Sequence, residues 1–282
     1  MNFPKRGYPE IITAAVMWGF VGILAKMIHG MSAQSIIFYR VTFASIIFFF
    51  ILLISGNMRI VRLGNKKIYL LLFGIFQAMT MLMYFVSILK GSVSVAVLLL
   101  YTAPAYVTVL SPLLLKESLT RKGIIALFLS ILGIVFIVNP ERLDFSQSLG
   151  IIAGILSGVA YAFQIITSKH ISSTYSGYTQ AFWSFIIATL IFLPVGVAPK
   201  EVVFENMVFL ILLAIFPTIL SVSLYFNGLK KVKAQSASIL GLIEPVSAVI
   251  LAILILGEKI STLEIIGGVL ILAGAALVMR DA

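Results

Sequence analysis

Ten runs of about 20 predominantly apolar residues follow one another along this chain, joined by short links that carry most of its charge. That spacing leaves little freedom. A hydrocarbon core of about 30 Å is crossed by about 20 helical residues, and in lipid each backbone polar group must find its partner inside the protein. The runs fall at roughly 9–29, 34–56, 68–89, 92–115, 121–139, 148–169, 178–198, 207–229, 234–257 and 261–280. The links are too short for a separate soluble domain, so any activity resides within the spans. With 61% hydrophobic and 11% charged residues and a mean hydropathy of +1.15, a water-soluble globule is excluded. The N-terminus reads as the first span, because its apolar run is longer than that of a cleaved signal. Without cysteine there are no disulfides, thiolate metal sites or cysteine nucleophiles, and the two histidines, His29 and His170, sit near predicted helix ends. No cofactor and no metal is expected.

The net charge of +10 is distributed unevenly. With the N-terminus in the cytoplasm, 14 of the 20 Lys and Arg collect on that face, among them Lys5, Arg6, Arg59, Arg62, Lys66 and Lys67. The other face receives Lys26, Arg40, Lys90, Arg142, Lys200 and Lys259, together with acids such as Glu141, Asp144 and Glu258. Cytoplasmic enrichment of Lys and Arg is the ordinary topology signal of a cell-membrane protein, and both termini come out cytoplasmic. The positive charge is therefore assigned to anionic headgroups, with no nucleic-acid partner.

The ten spans divide into two copies. At an offset of 141, Tyr84 falls on Tyr225, Lys90 on Lys231, Ala96 on Ala237, Pro104 on Pro245, Glu117 on Glu258 and Gly133 on Gly274. The first spans match at a slightly different offset, Trp18, Phe20 and Lys26 falling on Tyr161, Phe163 and Lys169. Five spans per copy is an odd number, so the second copy enters the membrane from the opposite side. The reading is an all-α integral membrane protein of ten transmembrane helices in a five-plus-five inverted repeat, with units 1–141 and 142–282. Inverted repeats place equivalent half-sites on both faces, the symmetry that alternating access requires.

These residues resemble the drug/metabolite transporter superfamily, in its EamA-like branch. The resemblance rests on Trp18-Gly19-Phe20 with the following Lys26, on Arg40 early in the second span, and on the proline-to-glutamate spacing in both halves. The stretch from Pro245 through Gly257-Glu258-Lys259 to Gly274 is especially similar. The first half departs from it with Lys116 where the second has Gly257. The resemblance implies that spans 1–4 and 6–9 surround a central substrate cavity, with 5 and 10 peripheral. It also implies an amino acid or related metabolite as substrate, exported.

Glu244 is the sharpest single residue. It lies near the middle of the ninth span, where a charged carboxylate costs roughly 2.5–3.5 kcal/mol unless it is protonated, paired or wet. It is a candidate proton-coupling group or contact for a substrate's amino group; the alternative is a protonated acid serving backbone groups that Pro245 leaves unpaired. Pro104 and Pro245 each remove a helix hydrogen bond at matched positions, marking kinks beside the site. Pro112, Pro194 and Pro217 have no counterparts and read as packing kinks.

Polar residues at helical spacing supply the remaining candidates. These are Gln77 and Tyr84 with Thr80 in the third span, Tyr101 in the fourth, and Tyr161 and Gln164 with Ser157 and Ser168 in the sixth. Tyr225 in the eighth span, with Thr218 and Ser221, joins them, and Trp18 and Trp183 add aromatic surface. Arg40 is a candidate partner for a substrate carboxylate, Lys26 a residue that snorkels to the headgroups. Glu117 and Glu258 read as structural groups of solvated helix corners. Gly150, Gly154 and Gly158, and Ala126, Ser130 and Gly267, are small-residue ladders where helices touch. Such ladders do not say which chain supplies the partner, so a homodimer is neither assigned nor excluded.

The function that follows is secondary transport of a small polar metabolite across the cell membrane by alternating access, driven by a gradient of protons if Glu244 titrates during transport, or of the substrate itself. Transport of organic cations or drugs is the alternative within the same fold. Direct ATP hydrolysis is excluded by the lack of a phosphate-binding loop. An intramembrane enzyme is disfavoured, since the spans hold no metal set, acidic pair or nucleophile with its base. A channel is the remaining alternative.

Overall fold

The computed structural model describes residues 7–143 and 145–280. Lys5, Arg6, Asp144 and the side chain of Arg142 lie outside that description. Among the described residues ten helices are long and apolar enough to cross a membrane. They are α1 Tyr8–Lys26, α2 Ala33–Ile54, α3 Lys67–Lys90, α4 Val93–Leu115, α5 Arg121–Val138, α6 Ser148–Ile171, α7 Gly177–Gly196, α8 Met207–Leu229, α9 Ala234–Leu256 and α10 Thr262–Met279. Each falls within a few residues of its expected span. Large apolar side chains such as Phe128, Leu113 and Leu254 cover the outside, as a lipid solvent requires.

The two halves use the same local devices at equivalent points. Ser32 and Ser176 cap α2 and α7, each accepting the N–H three residues on, from Ser35 at 3.1 Å and Thr179 at 3.2 Å. Thr120 and Ser261 do the same for α5 and α10. At the far ends of α4 and α9, Lys116 (φ 58°) and Gly257 (φ 66°) both turn left-handed. Lys116 and Gly257 thus share one backbone conformation despite their different side chains. A left-handed lysine costs roughly 1–2 kcal/mol that glycine avoids.

The matched prolines break their helices as expected. Helix α4 is interrupted at Tyr101–Thr102, just before Pro104, and α9 at Leu242, just before Pro245. Helices α5 and α10 pack on each other at the periphery, where Gly133 and Gly267 stand so close that a Cβ on Gly133 would lie 2.6 Å from the Gly267 carbonyl. The Gly150, Gly154 and Gly158 ladder brings α6 against the α3–α4 turn and α4. Helix α7 packs on α2 and α3.

Candidate substrate site

A cavity of about 470 Å³ occupies the centre of the bundle, within the range of small-molecule sites. Its lining comes from α1–α6, α8 and α9, and none from α7 or α10. Helix α5, expected to be peripheral, contributes Ile137 at the mouth. The cavity runs from the middle of the bundle toward the face opposite Tyr8. There a second cleft of about 240 Å³ continues between α1 and α9, sharing Gly19, Gly22, Ala248 and Val249 with it.

Trp18, Arg40, Gln77, Tyr84, Tyr101, Tyr161, Gln164, Glu244 and Pro245 all line this cavity. Residues from both halves thus converge on one space. Tyr225 does not line it. It is fully buried behind Trp18, ring centroids 4.9 Å apart, with its hydroxyl near Tyr161 but without a hydrogen-bond partner. Pro104 is buried in α4 outside the lining. Trp183, an aromatic candidate, serves elsewhere: its indole N–H donates to Val61 O at 3.1 Å and pins the α2–α3 link.

Arg40 is positioned by a deformation of α8. Pro217 has no N–H to donate, and the helix widens into a π-turn over Ile215–Leu220. Thr218 Oγ1 takes over the freed Leu213 carbonyl at 2.7 Å. Arg40 Nε then donates to Thr218 Oγ1 at 2.5 Å and Nη2 to Pro217 O at 2.9 Å. Pro217 is therefore more than a packing kink, because the turn it opens holds the guanidinium. Two bonds use two of five N–H donors, and Nη1 has no hydrogen-bond partner among the described residues.

Glu244 enters from α9 at the break before Pro245, half-buried, with the Tyr101 hydroxyl as its side-chain neighbour. No cation among the described residues stands within ion-pair distance of its carboxylate, although Arg40 lines the same cavity. Beneath these groups Gln164 Nε2 donates to Gln77 Oε1 at 3.0 Å, and Gln77 Nε2 has no partner. The hydroxyls divide between the two roles. Thr80 lines the cavity, whereas Ser157 and Ser168 are buried in helix contacts, Ser168 with Gln180 and Ser157 with Gly154 O. Phe226 lines the cavity and is backed edge-on by Phe73 at 4.8 Å. Phe76 stacks on Phe163 at 5.4 Å between α3 and α6, outside the lining.

Sequence spacing did not single out Gly22, Met81 or Phe226 as lining residues, since each looks like any apolar position in a span. Only the Pro217-Thr218 pair carried a signal of the Arg40 anchor. Lys26 is exposed at the end of α1, where its ammonium also bonds Glu258 at 2.7 Å. Glu117 has a structural role at its helix corner but is not solvated there: its side chain is only 14% exposed and reaches Lys169 and the Ala234 N–H.

The EamA-like transporter family model matches this chain twice, over residues 5–139 and 148–280. The chain belongs to the EamA-like transporter family. An uncharacterized transporter of Archaeoglobus fulgidus is 31% identical over 277 residues, covering 98% of this chain and 97% of that protein. The uncharacterized inner membrane transporter YicL of Salmonella typhimurium is 30% identical, covering 100% of this chain and 97% of its own length. A solved crystal structure shares the fold with a TM-score of 0.83 at 16% identity, covering 98% of both chains. This EamA-like chain is a multi-pass transporter of the cell membrane that acts on a small molecule.

Proposed function

We propose that the chain is a secondary carrier for small zwitterionic metabolites, amino acids and close relatives, working by alternating access between units 1–141 and 142–282. The observation that carries this reading is the relation of Arg40 to Glu244. They enter one cavity from different halves, on α2 and α9, with opposite charge and no ion pair between them. A guanidinium with free donors suits a carboxylate, and an unpaired carboxylate beside Tyr101, Trp18 and Tyr84 suits an ammonium. A ligand bearing both groups would satisfy both ends.

The N-terminal face is taken as cytoplasmic on its excess of Lys and Arg, and export follows the family resemblance. Coupling follows from the same carboxylate. An ammonium and a proton compete for the Glu244 oxygens, so substrate occupancy and protonation of that carboxylate exclude one another, and release on one face goes with protonation there. That exclusion gives substrate–proton exchange.

The test is counterflow in proteoliposomes with a panel of amino acids and organic cations, with and without a pH gradient. Wild-type protein is expected to show saturable counterflow of zwitterions, stimulated by the gradient. Glu244→Gln is expected to lose the gradient dependence and Arg40→Gln the preference for a carboxylate. Unchanged transport and coupling in Glu244→Gln would overturn the reading. Transport of organic cations indifferent to Arg40→Gln would replace zwitterions with cations.

A further inference from the structure

One lysine gathers the helix ends at the N-terminal face. Lys169, in the last turn of α6, donates to the carbonyls of Leu229 at 3.0 Å, Lys230 at 3.3 Å and Val232, and lies 3.8 Å from Glu117 Oε1. Glu117 Oε2 in turn accepts the Ala234 N–H at 2.8 Å. The ends of α6 and α4 are thereby tied to the α8–α9 turn. Nearby, Lys233 donates to Ser118 O at 3.0 Å, and Gln235 Nε2 to Thr108 Oγ1 at 3.3 Å, joining α9 to α4.

The repeat counterparts of this cluster lie on the opposite face and are only half assembled. Lys26 corresponds to Lys169 and Glu258 to Glu117, and they form a 2.7 Å pair with side chains 63% and 50% exposed. The α3–α4 turn, whose Ile88, Leu89 and Gly91 correspond to Leu229, Lys230 and Val232, receives no bond from Lys26. Val249, counterpart of Thr108, lines the open cavity instead of meeting α4. Identical ingredients are thus complete on the closed face and incomplete on the open one.

Inverted repeats exchange conformations when access switches, so each half takes up the arrangement now seen in the other. We infer that Lys169–Glu117 and Lys26–Glu258 are the two alternating locks of this carrier. In the state open to the N-terminal face, Lys26 caps the carbonyls of Ile88, Leu89 and Gly91 and Glu258 accepts the Val93 N–H. Lys169 and Glu117 then keep only a mutual, exposed pair. A free ammonium has three donors, which is what capping a carbonyl cluster needs and what a carboxylate lacks.

This inference rests on the alternating-access reading but not on the substrate proposed for it. The chain has no cysteine, so introduced pairs report without background. By repeat symmetry Ser92 and Lys259 are the counterparts of Lys233 and Ser118. The double variant Ser118→Cys/Lys233→Cys reads closure of the N-terminal face and Ser92→Cys/Lys259→Cys closure of the opposite one, each cross-linked by a short bifunctional thiol reagent in native membranes. Adding Lys169→Met, or the shape-preserving Glu117→Gln, is expected to raise the 92/259 yield several-fold and lower the 118/233 yield. Lys26→Met, at an exposed site where folding is not at stake, is expected to lower the 92/259 yield.

The exchanged variant Lys26→Glu/Glu258→Lys restores a salt bridge but not the cap, so its 92/259 yield is expected to stay low. Yields unmoved by both Lys169→Met and Glu117→Gln overturn the inference, and so does full recovery in the exchanged variant. Cross-linking that shifts as expected in a protein that fails to carry zwitterions leaves the locks standing and removes only the substrate reading.

Discussion

Arg40 Nε donates to Thr218 Oγ1 at 2.5 Å, so the cavity's one guanidinium is held by a hydroxyl of the opposite half of the chain. The same hydroxyl caps the Leu213 carbonyl at 2.7 Å, which makes Thr218 the joint between the Arg40 side chain and the widened turn of α8. A substrate carboxylate drawn to Arg40 would pull directly on that turn.

Thr218→Val keeps the side-chain shape and removes both bonds. It is expected to cost about 1–3 kcal/mol of stability, the penalty for stranding buried polar groups, read as a lowered melting temperature in detergent. Arg40→Lys keeps the charge but cannot form the fork, so counterflow should fall about tenfold or more. Wild-type rates in Arg40→Lys would show that a point charge suffices and that the anchoring is irrelevant to transport.

Helices α5 and α10 approach closely enough at their glycines for backbone to meet backbone. A Cβ on Gly267 would lie 2.8 Å from Ile137 Cγ1 as well as against the Gly133 carbonyl, whereas one on Gly22 meets nothing within 4 Å. Gly267→Val should therefore destabilise by about 2 kcal/mol or more, since the helices must separate to admit it. Gly22→Ala should melt with the wild type. Equal melting temperatures for the two variants would refute the close α5–α10 contact.

How much of this was legible beforehand depends on whether a residue's role is local or relational. The ten spans and the broken helices at Pro104 and Pro245 follow from hydropathy and a missing N–H, both properties of a short stretch. Glu244, Gln77 and Gln164 stood out because polar groups in apolar spans must face a cavity or one another. Lys26, Glu117, Glu258 and Lys169 were legible as repeat partners, yet their pairing was not. Offset matching relates Lys26 to Lys169 and says nothing of Lys26 meeting Glu258, 232 residues away. Trp183 and Tyr225 were equally opaque, because an aromatic ring in a span reads the same whether it lines a cavity or backs one.

The two glutamines beneath the cavity form one polar unit in an apolar setting. Gln164 Nε2 donates to Gln77 Oε1 at 3.0 Å, and both residues are only 4% exposed. Replacing either by Leu strands the other, at a cost of about 1–3 kcal/mol. Replacing both removes the need for a partner, so the double variant should be more stable than the sum of the singles, by about 1 kcal/mol or more of coupling. Additive melting shifts in the Gln77→Leu, Gln164→Leu and double variants would mean that the pair does not act as a unit.

The chain's two tryptophans report on different places. Trp18 lines the cavity with no acceptor for its indole N–H among the described residues, and Trp183 is bonded to Val61 O at 3.1 Å, away from the lining. Trp183→Phe gives up one hydrogen bond, about 0.5–1.5 kcal/mol, and leaves Trp18 as the sole emitter. A substrate entering beside Trp18 displaces water from the ring and offers its N–H a partner, so emission should shift in proportion to occupancy. The concentration dependence should match that of counterflow for the same compound. In Trp18→Phe the remaining emission from Trp183 should not respond. A saturable response confined to Trp18→Phe would place the ligand at the α2–α3 link instead of the central cavity.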